Sequence, residues 1–421
     1  MFKHFARHFA CRDFKDNVQS GRMTRVEPKH APITGFDSEA VDVLRDLRRT
    51  CAAILGSCGG VERAIHLTTR LGLDRSLGWK IWHIAQGVDT CPSAAHIPGR
   101  QGFKQFLDAA GRLGVQPELL GNAMQAFERF RNLTSVHAGD RASADILLGP
   151  LSEEGRKRFE LAMRRDGFRS QSHFLGVQTQ TVYQLDIVLP PRAGFMPDVA
   201  RVRGFFGLRR NRADVSWIIA RTTLVHSDGP SSALNRKPLG DNKDNPLLLT
   251  RFCSQTSLPI RRRLLAGVTA EDELMPGSVG QLAALDIVTA ELISNMPRRD
   301  VKTDATLMHV VTPAERLCYD VLLPSDVPTP TVRVHSTMQG EHPYLRDDTF
   351  GTIPTYESLE SLGQADGAPV SPDVPHQREL LTWLFAELGI RAADFMMWRF
   401  RMRFPPIPAC VGLRYDVPQP R

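Results

Sequence analysis

His137-Ala138-Gly139-Asp140-Arg141-Ala142-Ser143 gathers an imidazole, a carboxylate, a guanidinium and a hydroxyl in one short stretch. Lining a pocket, such a group could serve acid–base chemistry. Gly139-Asp140 is equally a turn, with Asp140 placed to cap a helix running through Ala142 to Leu148. The seven cysteines (Cys11, Cys51, Cys58, Cys91, Cys253, Cys318, Cys410) are scattered and never spaced C-x-x-C. That pattern argues against a zinc site and a disulfide framework, and for a reducing, cytoplasmic compartment. Cys51 and Cys58 would share a face on a continuous helix, but Gly56 is expected to end that helix and leave two core thiols. Phosphate-loop, dinucleotide, zinc-protease and nucleophile-elbow patterns are absent. No catalytic residue, metal or cofactor is therefore assigned, and an enzyme whose residues converge only in the fold stays open. His226, His309 and His335 fall in predicted strands without ligand-like spacing.

Charge gives a second lead. The formal net charge of +7 permits a polyanionic partner without requiring one. Basic clusters occur at Arg209-Arg210-Asn211-Arg212, Arg261-Arg262-Arg263 and Arg298-Arg299. Joined in space they would make a phosphate-binding surface; apart, they are solvated loops. Arg399, Arg401 and Arg403 alternate with Trp398, Phe400, Met402 and Phe404, so all three share one face of a strand, expected to meet water.

Residues 64–84 carry the most specific pattern. Ala64, Leu67, Leu71, Leu73, Leu77 and Ile81 have the spacing of two packed helices, and Gly72 sits where the chain must turn between them. The segment resembles the helix-turn-helix of bacterial DNA-binding regulators, over about 21 residues of the chain. The resemblance implies that the second helix enters the major groove of double-stranded DNA. It assigns Asp74, Arg75, Ser76, Trp79, Lys80 and His83 to the groove side. Arg75 would reach guanine or phosphate, Ser76 phosphate, and Lys80 and His83 the backbone. The sequence departs from the pattern at Thr68, at Gly78 and in the bulk of Trp79. A second unit, 106–126, repeats the packing through Ala109, Ala110, Leu113, Gly114, Val115, Leu120 and Ala123. Its exposed side offers Gln116, Pro117, Glu118, Asn122 and Gln125, with no positive charge, so it is read as structural.

These groups must be held by two kinds of element. Helical periodicity dominates 37–170: Asp37 and Ser38 can cap a helix carrying Val41, Leu44, Leu47, Ala52 and Leu55, and Pro117 suits the first turn of its helix. From about 172 the period changes to strands, at 177–189 and 215–226, with Ser227-Asp228-Gly229 as a turn. The run 398–404 is expected to pair antiparallel with Val411, Leu413, Tyr415 and Val417 across Pro405-Pro406-Ile407-Pro408. One helix at 376–388 carries Leu380, Leu381, Leu384 and Leu388. Asp186-Ile187-Val188-Leu189-Pro190 echoes Asp320-Val321-Leu322-Leu323-Pro324, as two related β modules would and as unrelated apolar strands also do.

The expected fold is α+β: a helical N-terminal domain followed by a β-rich, mostly antiparallel region. The boundaries are 1–36 as a flexible extension, 37–170 helical, 171–290 a β-rich module and 291–421 a second with one helix. Phe2, Phe5 and Phe9 align beside Lys3, Arg7 and Arg12, as targeting helices also do, but that extension is left out of the functional reading. With no apolar run of about 18 residues, no membrane partner is expected. The function read from these features is a cytoplasmic DNA-binding regulatory protein, its β-rich part serving a protein partner, a ligand or self-association. Two alternatives stand beside it. One is a non-catalytic interaction or assembly protein whose helices only pack; the other is an enzyme of unrecognised type built on 137–143.

Overall fold

A computed structural model describes residues 35–59, 61–86, 96–151, 153–223, 235–265, 269–296, 298–336 and 351–418. Nearly all of the expected N-terminal extension, His226 and the turn at 227–229 lie outside the described residues. The chain divides into two compact units, Met1–Ser152 and Glu153–Arg421. The first is helical and the second is mostly antiparallel β, so the fold is α+β.

The helical unit contains α1 (Gly35–Cys58), α2 (Ala64–Leu71), α3 (Arg75–Gln86), α4 (Arg100–Arg112), α5 (Pro117–His137) and α6 (Arg141–Leu148). Ala40, Val43, Leu44, Leu47, Cys51, Ile54 and Leu55 form the buried stripe of α1, the spacing that puts one apolar face toward a core. Phe103 of α4 stacks on Phe127 of α5 with ring centroids 4.3 Å apart. Gly56 does not end α1. The helix runs to Cys58 and stops before Gly59, whose φ of +61° is the left-handed exit. A glycine costs a helix only about 1 kcal/mol, which the packed stripe outweighs. Cys51 is consequently on the buried face, and burial pushes its thiol up to about 12.

The second unit begins with α7 (Glu153–Leu175) and continues through β1 (Val177–Val188), β2 (Val199–Arg210), β3 (Trp217–Thr223), β4 (Asn235–Pro238), β5 (Ile260–Leu265) and β6 (Thr269–Leu274). There follow β7 (Leu285–Ser294), β8 (Thr303–Val310), β9 (Ala314–Pro324), β10 (Thr331–Ser336), β11 (Glu360–Gln364), α8 (Gln377–Leu388), β12 (Phe395–Arg403) and β13 (Ala409–Asp416). Seven strands form one sheet in the order β11-β12-β9-β1-β2-β7-β4; β10-β13-β8 and β3-β6-β5 form two smaller ones. The division expected near 290 falls inside β7, a member of the large sheet.

The large sheet is covered on both faces. Residues with the parity of Leu185, Ile187, Leu322 and Met397 pack with Leu380, Leu381 and Leu384 of α8. Those with the parity of Val182, Tyr319, Val321 and Phe400 pack with Met308, Val310, Val334, Val411 and Leu413 of the β10-β13-β8 sheet. The expected pairing of 398–404 with 411–417 does not form. β12 is buried on both faces from Met397 to Phe400 and lies between β9 and β11, whereas β13 pairs with β10 and β8. A strand buried on both sides needs ladder partners at both edges. The proline-rich link between β12 and β13 then carries the chain from one sheet to the other.

The two echoing segments prove to be neighbours: β1 and β9 pair in parallel, with Leu185 opposite Asp320 and Asp186 opposite Val321. Each of the two aspartates is fully buried and meets an arginine from the adjacent antiparallel strand. On the α8 side Arg399 Nε and Nη2 donate to Asp320 at 2.7 and 3.0 Å; on the other, Arg201 Nε and Nη2 donate to Asp186 at 2.7 and 3.0 Å. Arg399 therefore does not face water with Arg401 and Arg403, which remain exposed. Removing one member of a buried pair strands the other charge, a loss of roughly 3–5 kcal/mol. We expect Arg399→Met to cost that much in urea denaturation and Arg399→Met with Asp320→Leu to cost far less. Equal costs for the two variants would deny that the pair is the source of the loss.

Candidate functional site

The β10-β13-β8 sheet has two dissimilar faces. One packs on the large sheet as described. The other carries Ala305, Leu307 and His309 of β8, Arg333 and His335 of β10, and Gly412 and Arg414 of β13, aligned because Leu307 pairs with Gly412 and Gly412 with Arg333. This second face looks into a cavity of about 1450 Å³. Across from it, β2 contributes Val199, Arg201, Arg203 and Phe205 at alternate positions, with Arg236 of β4 and Ile293 of β7 beside them. Trp217, Ile219 and Arg221 of β3 form a third wall. A Cβ at Gly412 would come 3.1 Å from Leu307 Cδ2, so the glycine lets Leu307 lie close against the sheet.

Among the described residues eight arginines line the cavity, and they are not equally satisfied. Arg201 belongs to Asp186: burial lowers its basicity, but the bound carboxylate overrides this and the net direction is upward. Arg221 donates from Nε to Glu271 at 2.7 Å, and Arg299 from Nη2 to Asp304 at 2.9 Å. Arg263 lies 3.5 Å from Glu271 and 3.4 Å from Glu273. Arg203 and Arg236 share one carboxylate. Arg203 Nη1 donates to Glu291 Oε1 at 3.3 Å, and Arg236 Nη1 to Oε1 and Oε2 at 3.1 and 3.2 Å. Glu291 is only 3% exposed, and Arg236 Nε is buried with no acceptor among the described residues. Desolvation, then the neighbouring Arg201 charge, pulls the Arg203 guanidinium down to about 10, against the pull of Glu291. Glu291 and Asp186 both act in the opposite direction, without overriding the burial of the group. Arg333 is exposed to the cavity and has no ion pair among the described residues.

The apolar part of the lining is mostly aliphatic: Ile218, Ile219, Ile293, Met296, Val301 and Val311. Trp217 is fixed by its indole N–H, which donates to Thr312 Oγ1 at 2.9 Å. Among the described residues no three His, Cys, Asp or Glu side chains converge as metal ligands. Surplus guanidinium charge beside an apolar wall is suited to holding an organic anion.

The residues assigned to DNA lie in the helical unit. Three residues, Gly72 to Asp74, separate α2 from α3, and Gly72 has the left-handed φ of +65° that the turn requires. Leu67, Leu71, Leu73, Leu77 and Ile81 are buried as the two-helix packing demands. Gly78 permits close approach: a Cβ there would lie 3.4 Å from Leu67 Cβ and Thr68 Oγ1. Asp74 is not a groove-side residue. Its Oδ1 accepts from the backbone N–H of Ser76 at 2.7 Å and of Leu77 at 3.2 Å, capping α3. Arg75, Ser76 and Trp79 are exposed, and Lys80 and His83 half-buried. The Trp79 and His83 rings are 3.8 Å apart, and His96 stands edge-on 4.9 Å from Trp79.

The segment 137–143 does not line the cavity described above. Asp140 Oδ1 accepts from the Ser143 N–H at 3.0 Å and Oδ2 from its hydroxyl at 2.8 Å, so Asp140 caps α6 and its carboxyl is held below the usual range. Arg261, Arg262 and Arg263 are a rung-by-rung match to Glu273, Asp272 and Glu271 of β6 rather than a free basic surface. Sequence reasoning missed the cavity. Its one legible signal was Arg201, Arg203 and Phe205 at strand spacing in β2.

No protein family matches the chain, and no curated protein does. Among solved structures, the crystal structure of a "putative protease" from Parabacteroides distasonis ATCC 8503 is similar over 58% of this chain and 41% of that one. The identity is 9% and the TM-score 0.27, a likeness too low to carry an argument about fold or activity. No helix among the described residues is long and apolar enough to cross a membrane.

If Glu291 neutralises two arginines, Glu291→Gln leaves both uncompensated, at a cost of roughly 3–5 kcal/mol. Guanidinium chloride would mask this by its own ions, so urea is the denaturant of choice. Added phosphate should recover more stability in Glu291→Gln than in wild type. A variant as stable as wild type without phosphate would show the three groups to be uncoupled.

Proposed function

We propose that the protein is a non-catalytic binding protein whose β unit takes up an anionic ligand or partner group in the arginine-lined cavity. The observation that carries this is the sharing of the buried Glu291 by Arg203 and Arg236, with Arg236 Nε left without an acceptor among the described residues. An entering oxyanion would supply the missing acceptor and the missing charge. The five described cysteines are all free, which fits a reducing cytoplasm.

Anion binding should raise the thermal midpoint of the full chain. At tenfold above its Kd an anion adds about 1.4 kcal/mol, a shift of a few degrees. Millimolar pyrophosphate is the probe, and Arg203→Met/Arg236→Met should abolish its effect. An equal shift in wild type and the double variant would mean that the anion acts elsewhere.

A second reading is DNA binding through α2 and α3. It is favoured by the three-residue turn and by the exposure of Arg75, Ser76 and Trp79 on one side of α3. Arg75→Ala with Lys80→Ala removes two proposed phosphate contacts, so the salt dependence of duplex DNA binding should flatten by about two units of slope. Wild-type slope and affinity in the variant would eliminate this helix as the reader.

A further inference from the structure

We infer that the ligand of the cavity is a phosphate monoester on an extended aliphatic body, a conclusion that rests on the anion-binding reading above. The head group follows from the charge distribution. Arg201 is matched by Asp186, Arg299 by Asp304, and Arg221 and Arg263 face Glu271 and Glu273. Arg203 and Arg236 divide one carboxylate, and Arg333 has none. Leaving aside Arg414, whose Nε donates to Thr303 Oγ1 at 2.9 Å, at least two guanidinium charges are thus in surplus among the described residues. A carboxylate would offset one of them, whereas a phosphate monoester carries about −1.5 to −2 at neutral pH and three acceptor oxygens. Arginine is the side chain best shaped to receive such a group, since its planar fork presents several N–H donors at once.

The body follows from size and wall chemistry. A cavity of about 1450 Å³ is larger than an inorganic ion needs and exceeds the roughly 300–1,000 Å³ of ordinary small-ligand pockets. Ile218, Ile219, Ile293, Met296, Val301 and Val311 supply surface without donors or acceptors. A nucleobase would need polar partners along its edges, and leaving those edges unmatched is costly. An alkyl or prenyl chain needs only apolar contact, and each methylene it buries should tighten binding about fourfold.

The test is titration calorimetry on the full chain with inorganic phosphate, butyl, hexyl and octyl phosphate, octanoate and adenosine monophosphate, all below micellar concentrations. Affinity should climb about fourfold per methylene along the alkyl phosphates. Octyl phosphate should bind at least about tenfold more tightly than octanoate, as one further charge-assisted contact implies. Arg333→Gln should narrow that gap and Arg333→Lys should partly restore it. Arg333 is exposed, so these variants keep the question answerable even if Arg236→Gln fails to fold. Octanoate equal to octyl phosphate, no dependence on chain length, or adenosine monophosphate ahead of hexyl phosphate would each overturn the inference. In all three cases, binding of inorganic phosphate lost on Arg203→Met/Arg236→Met leaves the broader anion reading intact. Failure of every anion to bind ends both.

Discussion

Two fully buried carboxylates on neighbouring parallel strands govern the β unit. Burying an ion is expensive, and attraction to a counter-ion repays that cost only when geometry is good and the remaining lone pairs are filled. Both conditions hold for Asp186 and Asp320. Each receives a two-pronged arginine from the adjacent antiparallel strand, and each also receives a tyrosine hydroxyl: Tyr319 to Asp186 at 2.8 Å and Tyr183 to Asp320 at 3.1 Å. Burial, and then the carboxylate each one faces, push both phenols well above their ordinary range, so they stay protonated and able to donate. A glutamine completes each set, Gln184 on one face at 2.9 Å and Gln377 on the other at 2.5 Å.

These networks also place the parts around them. Gln377 is the first residue of α8, so the Asp320 set fixes where that helix lies on its face of the sheet. Gln184 Nε2 donates both to Asp186 and to the Leu307 carbonyl of β8 at 2.8 Å. The Asp186 set thereby ties down the small sheet whose far side lines the cavity. Arg201 is a member of that set and part of the opposite wall. The cavity is in this sense an outgrowth of the core rather than a loop feature, and sites on rigid strands hold their geometry more closely than sites on loops.

Local chemistry was legible in the sequence and assembly was not. Gly72 announced its turn and Pro117 its helix start. Asp140 announced its cap, because capping and left-handed backbone are decided within four residues. Leu380, Leu381 and Leu384 gave the buried stripe of α8 for the same reason. Arg399 was misread because alternation tells which residues share a face but not what covers it. Here α8 and the loop before it cover that face and Asp320 waits beneath. The echo of 186–190 in 320–324 was visible, yet its meaning lay in register. Tyr319 directly precedes Asp320 while Tyr183 stands three residues before Asp186, so no alignment by eye would reveal that the two sets match in space. The cavity arginines come from β2, β3, β4, β5, β10, β13 and the link between β7 and β8, at sequence separations that no spacing rule connects.

The cavity departs from the accounting that the rest of the unit obeys. Asp186 and Asp320 each take one arginine, and β6 offers its three acidic residues to the three arginines of β5. At Glu291 one carboxylate serves two guanidinium groups and, among the described residues, the buried Arg236 Nε has no acceptor; Glu271, shared by Arg221 and by Arg263 whose Nε is also unfilled, repeats the shortage on the β3-β6-β5 side of the cavity. For stability alone this is a poor arrangement, since an apolar residue at Arg236 would remove an uncompensated charge and an unfilled donor together. A local rule broken inside an otherwise consistent fold is where function is to be sought. The defect has a sign, an excess of positive charge, and a position, at the edge of an aliphatic wall. Whatever occupies the cavity must bring negative charge to one end and apolar surface to the other.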